Sequence, residues 1–236
     1  MMTLLHVFFG TLALVVAPAA FAVPKGSRWH RRLGFAFMLA TAVVLFSACF
    51  LWQAKGHVFL VPLAVVSAYL IFNGYRAVAR RRRRAPDPLQ DRVDLSAAGA
   101  AVLAALGIAY MAATARTPLM LGLRPALVGI GAIGVSFAAN DVLGFIGPRM
   151  RNGWLLQHFA GMIAAYISAV TAFVVINAHD VPMMLRWAVP SAAGGTVIVA
   201  VTFRYVQLRL PHRGAGSNSG RLVATATAPD CRSVLH

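Results

Sequence analysis

The chain of 236 residues has a composition far from that of soluble proteins. Hydrophobic residues make up 59% of it and charged residues only 12%, with a mean hydropathy of +0.72. Soluble domains have about 45–50% apolar residues and about 25% charged residues. This composition excludes a soluble globular domain and is typical of a polytopic membrane protein. At about 20 apolar residues per crossing, the chain is long enough for about six to eight transmembrane helices.

The charge balance is strongly basic, with 22 Lys and Arg, 6 acidic residues and a formal net charge of +16. All six acidic residues are aspartates, so carboxylate chemistry has few candidates. The basic residues lie between apolar runs, which favours contact with anionic lipid headgroups and argues against binding of nucleic acid. Cys49 and Cys231 fall on opposite sides of the membrane in the topology below, so we predict no disulfide.

Seven apolar stretches predict an all-α, polytopic bundle of seven transmembrane helices. Their ranges are about 3–23, 33–53, 57–78, 93–113, 119–146, 154–177 and 183–208. No Lys or Arg precedes the first stretch, so we predict a retained helix there and not a cleaved signal peptide. We predict residues 1–210 as the transmembrane domain and residues 211–236, where large apolar side chains are few, as a disordered cytoplasmic tail.

Basic residues cluster in alternate loops. Most of the 22 Lys and Arg lie in the first, third and fifth loops and in the tail. Because loops rich in Lys and Arg stay in the cytoplasm, we predict an outer amino terminus and a cytoplasmic carboxyl terminus. The alanine- and arginine-rich composition indicates a bacterial protein, hence the bacterial cytoplasmic (inner) membrane. A run at the end of the third helix predicts an anchor to anionic headgroups at the cytoplasmic face: Arg80, Arg81, Arg82, Arg83 and Arg84.

Several motif matches carry no chemistry in this context. A GxGxxG sequence begins at Gly129 but lies inside an apolar helix, without the preceding strand that a dinucleotide site needs. The sequence contains no HExxH, CxxC or GxSxG. Small residues spaced by three or four along the sixth helix predict a helix-packing seam: Gly161, Ala165, Ala169 and Ala172.

Polar and ionisable residues gather near the predicted helix ends. The cytoplasmic ends carry His30, Asn73, Arg76, Asp94, Asp141, Arg149, Trp154 and His158. The outer ends carry His6, His57, Asn177, His179 and Asp180. Burying the charge of an ionisable residue in a membrane helix costs a few kcal/mol, so such residues are rare where they have no role. Those that occur are therefore candidates for function.

The aspartates have simple structural interpretations. Asp91 and Asp94 lie where the amino terminus of the fourth helix favours negative charge, so we predict capping for them. Asp141 is the acid that lies within an apolar run, and we predict that it pairs with Arg149 or Arg76. For His158, which follows Trp154 by one helical turn, a structural hydrogen bond and a functional role are equally consistent with the sequence.

Three motifs together resemble a family of bacterial membrane proteins. They are the stretch 24–34, which includes Lys25, Gly26, His30 and Gly34, the stretch Asn73-Gly74-Tyr75-Arg76, and the stretch 154–162 with Trp154, His158 and Met162. Over about residues 3–180 the chain resembles domain-of-unknown-function family 2306. The resemblance implies a polytopic bacterial membrane protein, directs attention to His6, His30, Arg76 and His158, and implies no activity.

The favoured functional hypothesis is a membrane protein that binds a cofactor through histidines, either a b-type haem or a metal ion. A haem between helices needs two imidazoles at one depth on facing helices. His30 and His158 fit an inner pair, and His6 with His57 or His179 fits an outer one. Further candidates for a polar site are Arg76, Asp141, Trp154 and Arg149.

Three alternatives remain open on the sequence. A proton-coupled small-molecule transporter would use Asp141 and His158 as protonatable groups. A membrane enzyme would use the inner Asp, His and Arg residues as acid, base and anion clamp. An accessory or structural membrane subunit needs no site. The oligomeric state, the substrate and any enzymatic activity are not determined by the sequence.

Overall fold

A computed structural model describes residues 1–55, 60–82, 87–116, 118–146 and 153–207 of the chain. Within these residues the protein is all-helical, with seven helices. They are α1 (Met2–Ala22), α2 (Arg28–Lys55), α3 (Leu60–Arg82), α4 (Pro88–Ala113), α5 (Pro118–Ile146), α6 (Gly153–Asn177) and α7 (Met183–Gln207). The predictions for His57, Arg83, Arg84, Arg149, Cys231 and the tail at 211–236 fall outside the described residues.

The predicted all-helical bundle is confirmed, and the helix bounds follow the apolar stretches closely. Six helices, α1, α2 and α4 to α7, are long and apolar enough to cross a membrane within the described part of the chain. The other helix, α3, buries the polar side chains of Ser67, Tyr69 and Asn73. A helix enclosed by other helices can carry such groups because it presents little surface to lipid.

The helix α3 contacts four other helices, α2, α4, α5 and α6. The helices α1 and α2 form one antiparallel hairpin, and α4 and α5 form another. Residues 1–199 form one compact unit, and Ala200–His236 form a second, of which the structure describes only residues 200–207 at the end of α7. The features below all lie in the first unit.

The helices α3 and α6 approach each other closely at two glycines. A Cβ atom at Gly161 would lie 2.9 Å from the carbonyl oxygen of Leu70 and 3.1 Å from the Cα of Gly74. Real Cβ atoms do not approach backbone this closely, so only glycine fits at position 161. The two backbones therefore meet without an intervening side chain.

The rest of the α6 seam differs in part from the predicted one. Gly161 and Ala165 are buried as predicted, and the fully buried strip continues through Ser168 and Thr171. Ala169 and Ala172 are half-buried, and Ala172 packs against the core. A straight α-helix has 3.6 residues per turn, so a strip of contact drifts away from a strict spacing of four. The Oγ atom of Ser168 lies 2.5 Å from that of Ser67 on α3, a buried hydrogen bond between the two helices.

Asp87 caps the amino terminus of α4, a role predicted for Asp91 and Asp94. The Asp87 carboxylate accepts hydrogen bonds from the backbone N–H groups of Leu89 and Gln90. Asp91 lies in the first turn, where negative charge is favourable. Asp94 lies beyond that turn, and its side chain is turned into the bundle with only 1% exposure, so the capping prediction is corrected for Asp94.

Candidate functional site

His30 and His158 lie against each other at the end of the bundle where α2, α4 and α6 begin. Their ring centroids are 6.4 Å apart and the ring planes are nearly perpendicular, at 79°. Both side chains are half-buried. We call these two residues the histidine pair.

The loop between α1 and α2 positions His30. Gly26 adopts a φ of +79°, which turns the chain, and the Ser27 side chain accepts a hydrogen bond from the His30 backbone N–H and so caps α2. The Nδ1 atom of His30 lies 3.0 Å from the carbonyl oxygen of Ala20 in the last turn of α1. His30 thereby satisfies a carbonyl that the helix end would leave without a partner.

The close contact of α3 and α6 positions His158. Its Nδ1 atom lies 2.9 Å from the carbonyl oxygen of Gly74 on α3. His158 can reach that carbonyl because the α3 and α6 backbones meet at Gly74 and Gly161, where no bulky side chain separates them. The His158 ring is therefore held by main chain, as the His30 ring is.

The two carbonyl contacts determine the tautomer that a neutral imidazole adopts at either position. A carbonyl oxygen only accepts hydrogen bonds, so a neutral ring at either position carries its proton on Nδ1. The Nε2 atom of each ring then has a free lone pair, the form in which imidazole binds a metal. A backbone carbonyl on the other ring nitrogen is a common orienting partner of histidine ligands.

Trp154 adds an unsatisfied hydrogen-bond donor on the same helix. It precedes His158 by one turn, so the two residues share a face of α6. Within the described residues the Trp154 Nε1 atom is buried and has no hydrogen-bond partner. A buried donor without a partner is rare and calls for an explanation, and a bound group with an acceptor oxygen is one.

A second polar group, the charge cluster, joins α3, α4 and α5. Its charged members are Arg76, Arg80, Asp94 and Asp141. Arg80 bridges both carboxylates, at 3.3 Å from Asp94 and 3.0 Å from Asp141. Arg76 pairs with Asp94 and also donates to the side-chain and backbone oxygens of Gln90, each at 3.2 Å.

Neutral side chains complete the charge cluster. The Tyr69 hydroxyl donates to Asp141 at 2.9 Å, and Gln157 donates to the same carboxylate. The Gln157 amide oxygen also accepts a hydrogen bond of 3.0 Å from Arg80. Buried charges persist in a bundle when partners surround them in this way.

The charge cluster differs from the pairing predicted from sequence. Asp141 pairs with Arg80, not with Arg76, which pairs with Asp94. Arg80, predicted to contact lipid headgroups, is turned into the bundle and is 13% exposed, whereas Arg81 and Arg82 are exposed. Headgroup contact is therefore corrected for Arg80 and stays a prediction for Arg81 and Arg82.

Sequence reasoning missed Tyr69 and Gln157 as members of the charge cluster. A signal for the α3 members was present in the spacing of Tyr69, Asn73, Arg76 and Arg80. Steps of four, three and four residues place side chains on one face of a helix. A polar strip on an otherwise apolar helix marks the side that faces other helices.

The histidine pair and the charge cluster have different hydrogen-bond and ion-pair partners, and the prediction that Arg76 or Asp141 lies near the histidines stays a prediction. Neither residue forms a hydrogen bond or ion pair with His30 or His158 among the described residues. Gln157 and His158 are adjacent in sequence, but their side chains bind different partners.

His6 and His179 lie elsewhere. The His6 Nδ1 atom lies 2.9 Å from the Ser47 hydroxyl, and His6 is about 20 Å along α1 from Ala20, the residue that holds His30. His179 is exposed in the connection between α6 and α7. Across the part of the chain that the structure describes, no group of three or more His, Cys or Asp side chains is placed to hold a metal ion.

The chain matches no family model, no curated protein and no solved structure. The resemblance of its motifs to domain-of-unknown-function family 2306 accordingly stays a prediction.

Proposed function

We propose that this multi-pass membrane protein binds a metal-centred cofactor, a b-type haem or a single metal ion, between His30 and His158. The observation that carries the proposal is the approach of two imidazoles whose Nδ1 atoms are both held by backbone carbonyls. This arrangement leaves both Nε2 atoms available as ligands.

The separation of the rings fits one shared ion. A metal–imidazole bond is about 2 Å long and the ring centre lies about 1 Å beyond the nitrogen, so two imidazoles that share one ion have centroids at most about 6 Å apart. The observed 6.4 Å is close to this upper limit. No third His, Cys or Asp joins the pair within the described residues, which favours haem, because a porphyrin supplies the remaining ligands itself.

The chain's own residues have distinct roles in this proposal. His30 and His158 would hold the cofactor, and the carbonyls of Ala20 and Gly74 keep each ring oriented. The buried Trp154 Nε1 atom, which has no partner among the described residues, would donate to an acceptor group on the bound molecule. A haem at this position would supply one-electron transfer, with a potential that depends on its ligands and on the burial of the site.

The first prediction is that protein expressed with a haem precursor and purified in mild detergent is coloured and gives a dithionite-reduced b-type spectrum. We expect His158→Gln to lower the cofactor content per protein at least about tenfold, because it removes one of the two imidazoles that would hold the cofactor. The glutamine amide can still donate to the Gly74 carbonyl. The unfolding free energy of the variant should therefore differ from that of the unmodified protein by only about 1 kcal/mol.

The matched control is His179→Gln, since His179 is exposed and away from the pair. This control should keep the spectrum and the metal content of the unmodified protein. A colourless preparation in which elemental analysis finds a metal bound through the same two histidines supports the metal ion over haem. A preparation that contains neither haem nor a stoichiometric metal contradicts the proposal.

We further propose that all seven helices cross the bacterial cytoplasmic membrane, with the amino terminus outside. The support is the placement of most of the 22 basic residues in alternate loops and the tail. The second prediction is that a carboxyl-terminal reporter active only in the cytoplasm is active. Activity of a periplasmic reporter at that position, with the cytoplasmic one silent, contradicts this topology.

A proton-coupled transporter is the second candidate function, and the charge cluster is the observation that favours it. Asp94 and Asp141 are 1% and 5% exposed inside a bundle of apolar helices, and ionisable groups at such positions often line proton or ion pathways. Against a transport role, the described contacts pair each carboxylate with arginine. We therefore favour the histidine pair as the functional site.

A further inference from the structure

The amino-terminal part of α2 has an outward face that the proposed cofactor site does not use. Phe37, Ala40 and Thr41 are buried on the inner face of the helix. Arg28 and Arg32 lie on the opposite face, and both are exposed.

A surface cavity of about 520 Å³ lies on this outward face. The residues that line it are Arg28, Arg31, Arg32 and Phe35. The Arg31 guanidinium donates to the Gly26 carbonyl at 2.7 Å. The Arg32 guanidinium lies over the Trp29 ring, 5.8 Å from its centroid. These contacts hold two of the three cations in place without neutralising them.

The positive charge of the cavity has no carboxylate partner among the described residues. The carboxylates described in contact with arginine, Asp94 and Asp141, bind Arg76 and Arg80. The cavity also lies in the first turns of α2, where the helix dipole adds positive potential. Three guanidinium groups near a helix amino terminus attract an anion, because the helix dipole and the positive charges act in the same direction.

The same face continues from charged to apolar along the helix. Phe35, Leu39 and Phe46 follow Arg28 and Arg32 at steps of three, four and seven residues, and they are 64%, 55% and 62% exposed. The distance from Arg32 to Phe46 is about 20 Å along the axis, which exceeds the roughly 15 Å depth of one leaflet's hydrocarbon. Trp29 is exposed beside the arginines, and tryptophan is enriched at the membrane–water interface.

We propose that this cavity binds the phosphate group of one anionic phospholipid, with an acyl chain along Phe35, Leu39 and Phe46. Three guanidinium groups match a phosphate in charge and in hydrogen-bond donors. The apolar continuation distinguishes a phospholipid from a soluble phosphate, because only the lipid joins the phosphate to a long hydrocarbon chain. The site is independent of the histidine pair, which lies on the other face of α2.

The third prediction tests this site with dioleoylphosphatidylglycerol, and with dioleoylphosphatidylcholine as the lipid of equal chain length and no net charge. The full chain is purified in detergent, and native mass spectrometry measures the retained lipid. We expect the unmodified protein to retain one phosphatidylglycerol in preference to phosphatidylcholine. The triple variant Arg28→Gln/Arg31→Gln/Arg32→Gln should weaken that retention at least about tenfold, since each arginine near an anionic headgroup contributes about fivefold.

The matched control removes the same charge from the same end of the bundle. Arg81→Gln/Arg82→Gln/Arg92→Gln replaces three arginines whose side chains are exposed. Any headgroup contact of Arg81 and Arg82 lies outside the proposed cavity, so this variant should weaken retention of the one bound lipid less than about twofold. Equal weakening in the control overturns the proposal, because it indicates attraction by diffuse charge. Displacement of phosphatidylglycerol by an equal concentration of inorganic phosphate also overturns it, in favour of a soluble anion.

A single substitution keeps the test valid if the triple variant does not fold. Phe35→Asp places a negative charge in the cavity at a position that is 64% exposed, so the core is not altered. We expect this variant also to retain phosphatidylglycerol at least about tenfold more weakly than the unmodified protein does. Retention equal to that of the unmodified protein overturns the proposal.

Discussion

Replacing Asp94 by leucine is expected to destabilise the protein by about 3–5 kcal/mol, the usual cost of removing one partner from a buried ion pair. Asp94 is 1% exposed and pairs with both Arg76 and Arg80. Arg80 keeps its second carboxylate, Asp141, but Arg76 is left with only the neutral oxygens of Gln90. Thermal unfolding in detergent measures the effect, together with the amount of monodisperse protein recovered.

The double variant Asp94→Leu/Arg76→Leu separates the lost ion pair from a general packing defect. Removing both members leaves no uncompensated charge, so most of the lost stability should return. Asp180→Leu is the control, because Asp180 is exposed in a connection between helices, and it should change stability by less than about 0.5 kcal/mol. A double variant no more stable than Asp94→Leu contradicts the role of the pair.

Replacing Gly161 by valine is the other change with a large expected effect. Its Cβ atom would lie 2.9 Å from the Leu70 carbonyl oxygen and 3.1 Å from the Gly74 backbone, and backbone atoms cannot rotate away as a side chain does. The helices α3 and α6 must separate, at a cost of about 3 kcal/mol or more. We expect a lower unfolding temperature, and a loss of any cofactor, because the separation also removes the Gly74 carbonyl from His158.

Gly129→Val is the matched control for this substitution. Gly129 is also a helical glycine, but a Cβ atom there meets nothing within 4 Å. The control should leave the unfolding temperature almost unchanged, since valine has no lower helix propensity than glycine. Equal loss of stability in the two variants would show that the α3–α6 contact is not the cause.

The helices were predictable because burial in a membrane demands long apolar stretches, and the seven predicted ranges agree with the observed bounds to within a few residues at most ends. The main differences are the starts of α2 and α4, each five residues earlier than predicted, and the start of α2 includes Arg28, Arg31 and Arg32. A search for apolar residues excludes these arginines, although they are helical. The hydrophobic pattern therefore marks the membrane-embedded part of a helix more reliably than its ends.

The pairing of charges was less predictable, and the run of arginines at the end of α3 shows why. Consecutive residues of a helix point about 100° apart, so Arg80, Arg81 and Arg82, the last residues of α3, cannot all point in the same direction. Arg80 shares a face with Arg76 and is directed into the bundle, whereas Arg81 and Arg82 are exposed. Its partners Asp94 and Asp141 come from α4 and α5, and only the packing of those helices brings them together.

The histidine pair was accessible to sequence reasoning only in part. The predicted topology places His30 and His158 at one depth, and the structure places their rings 6.4 Å apart. The carbonyl partners on Ala20 and Gly74 were not predictable, because every residue has a carbonyl and only the fold decides which one is near a ring. The orientation of both imidazoles is thus a property of the backbone packing.

The charge cluster has an electrical consequence for a protein in an energised membrane. Arg76 and Arg80 carry two positive charges, and Asp94 and Asp141 carry two negative ones. Moving one elementary charge across a membrane is worth about 2.3 kcal/mol per 100 mV of transmembrane voltage. Moved as a unit, the four side chains transfer no net charge, so rearrangements that keep them together are insensitive to voltage. Without one of the carboxylates, the same movement would transfer one net positive charge and would respond to the voltage.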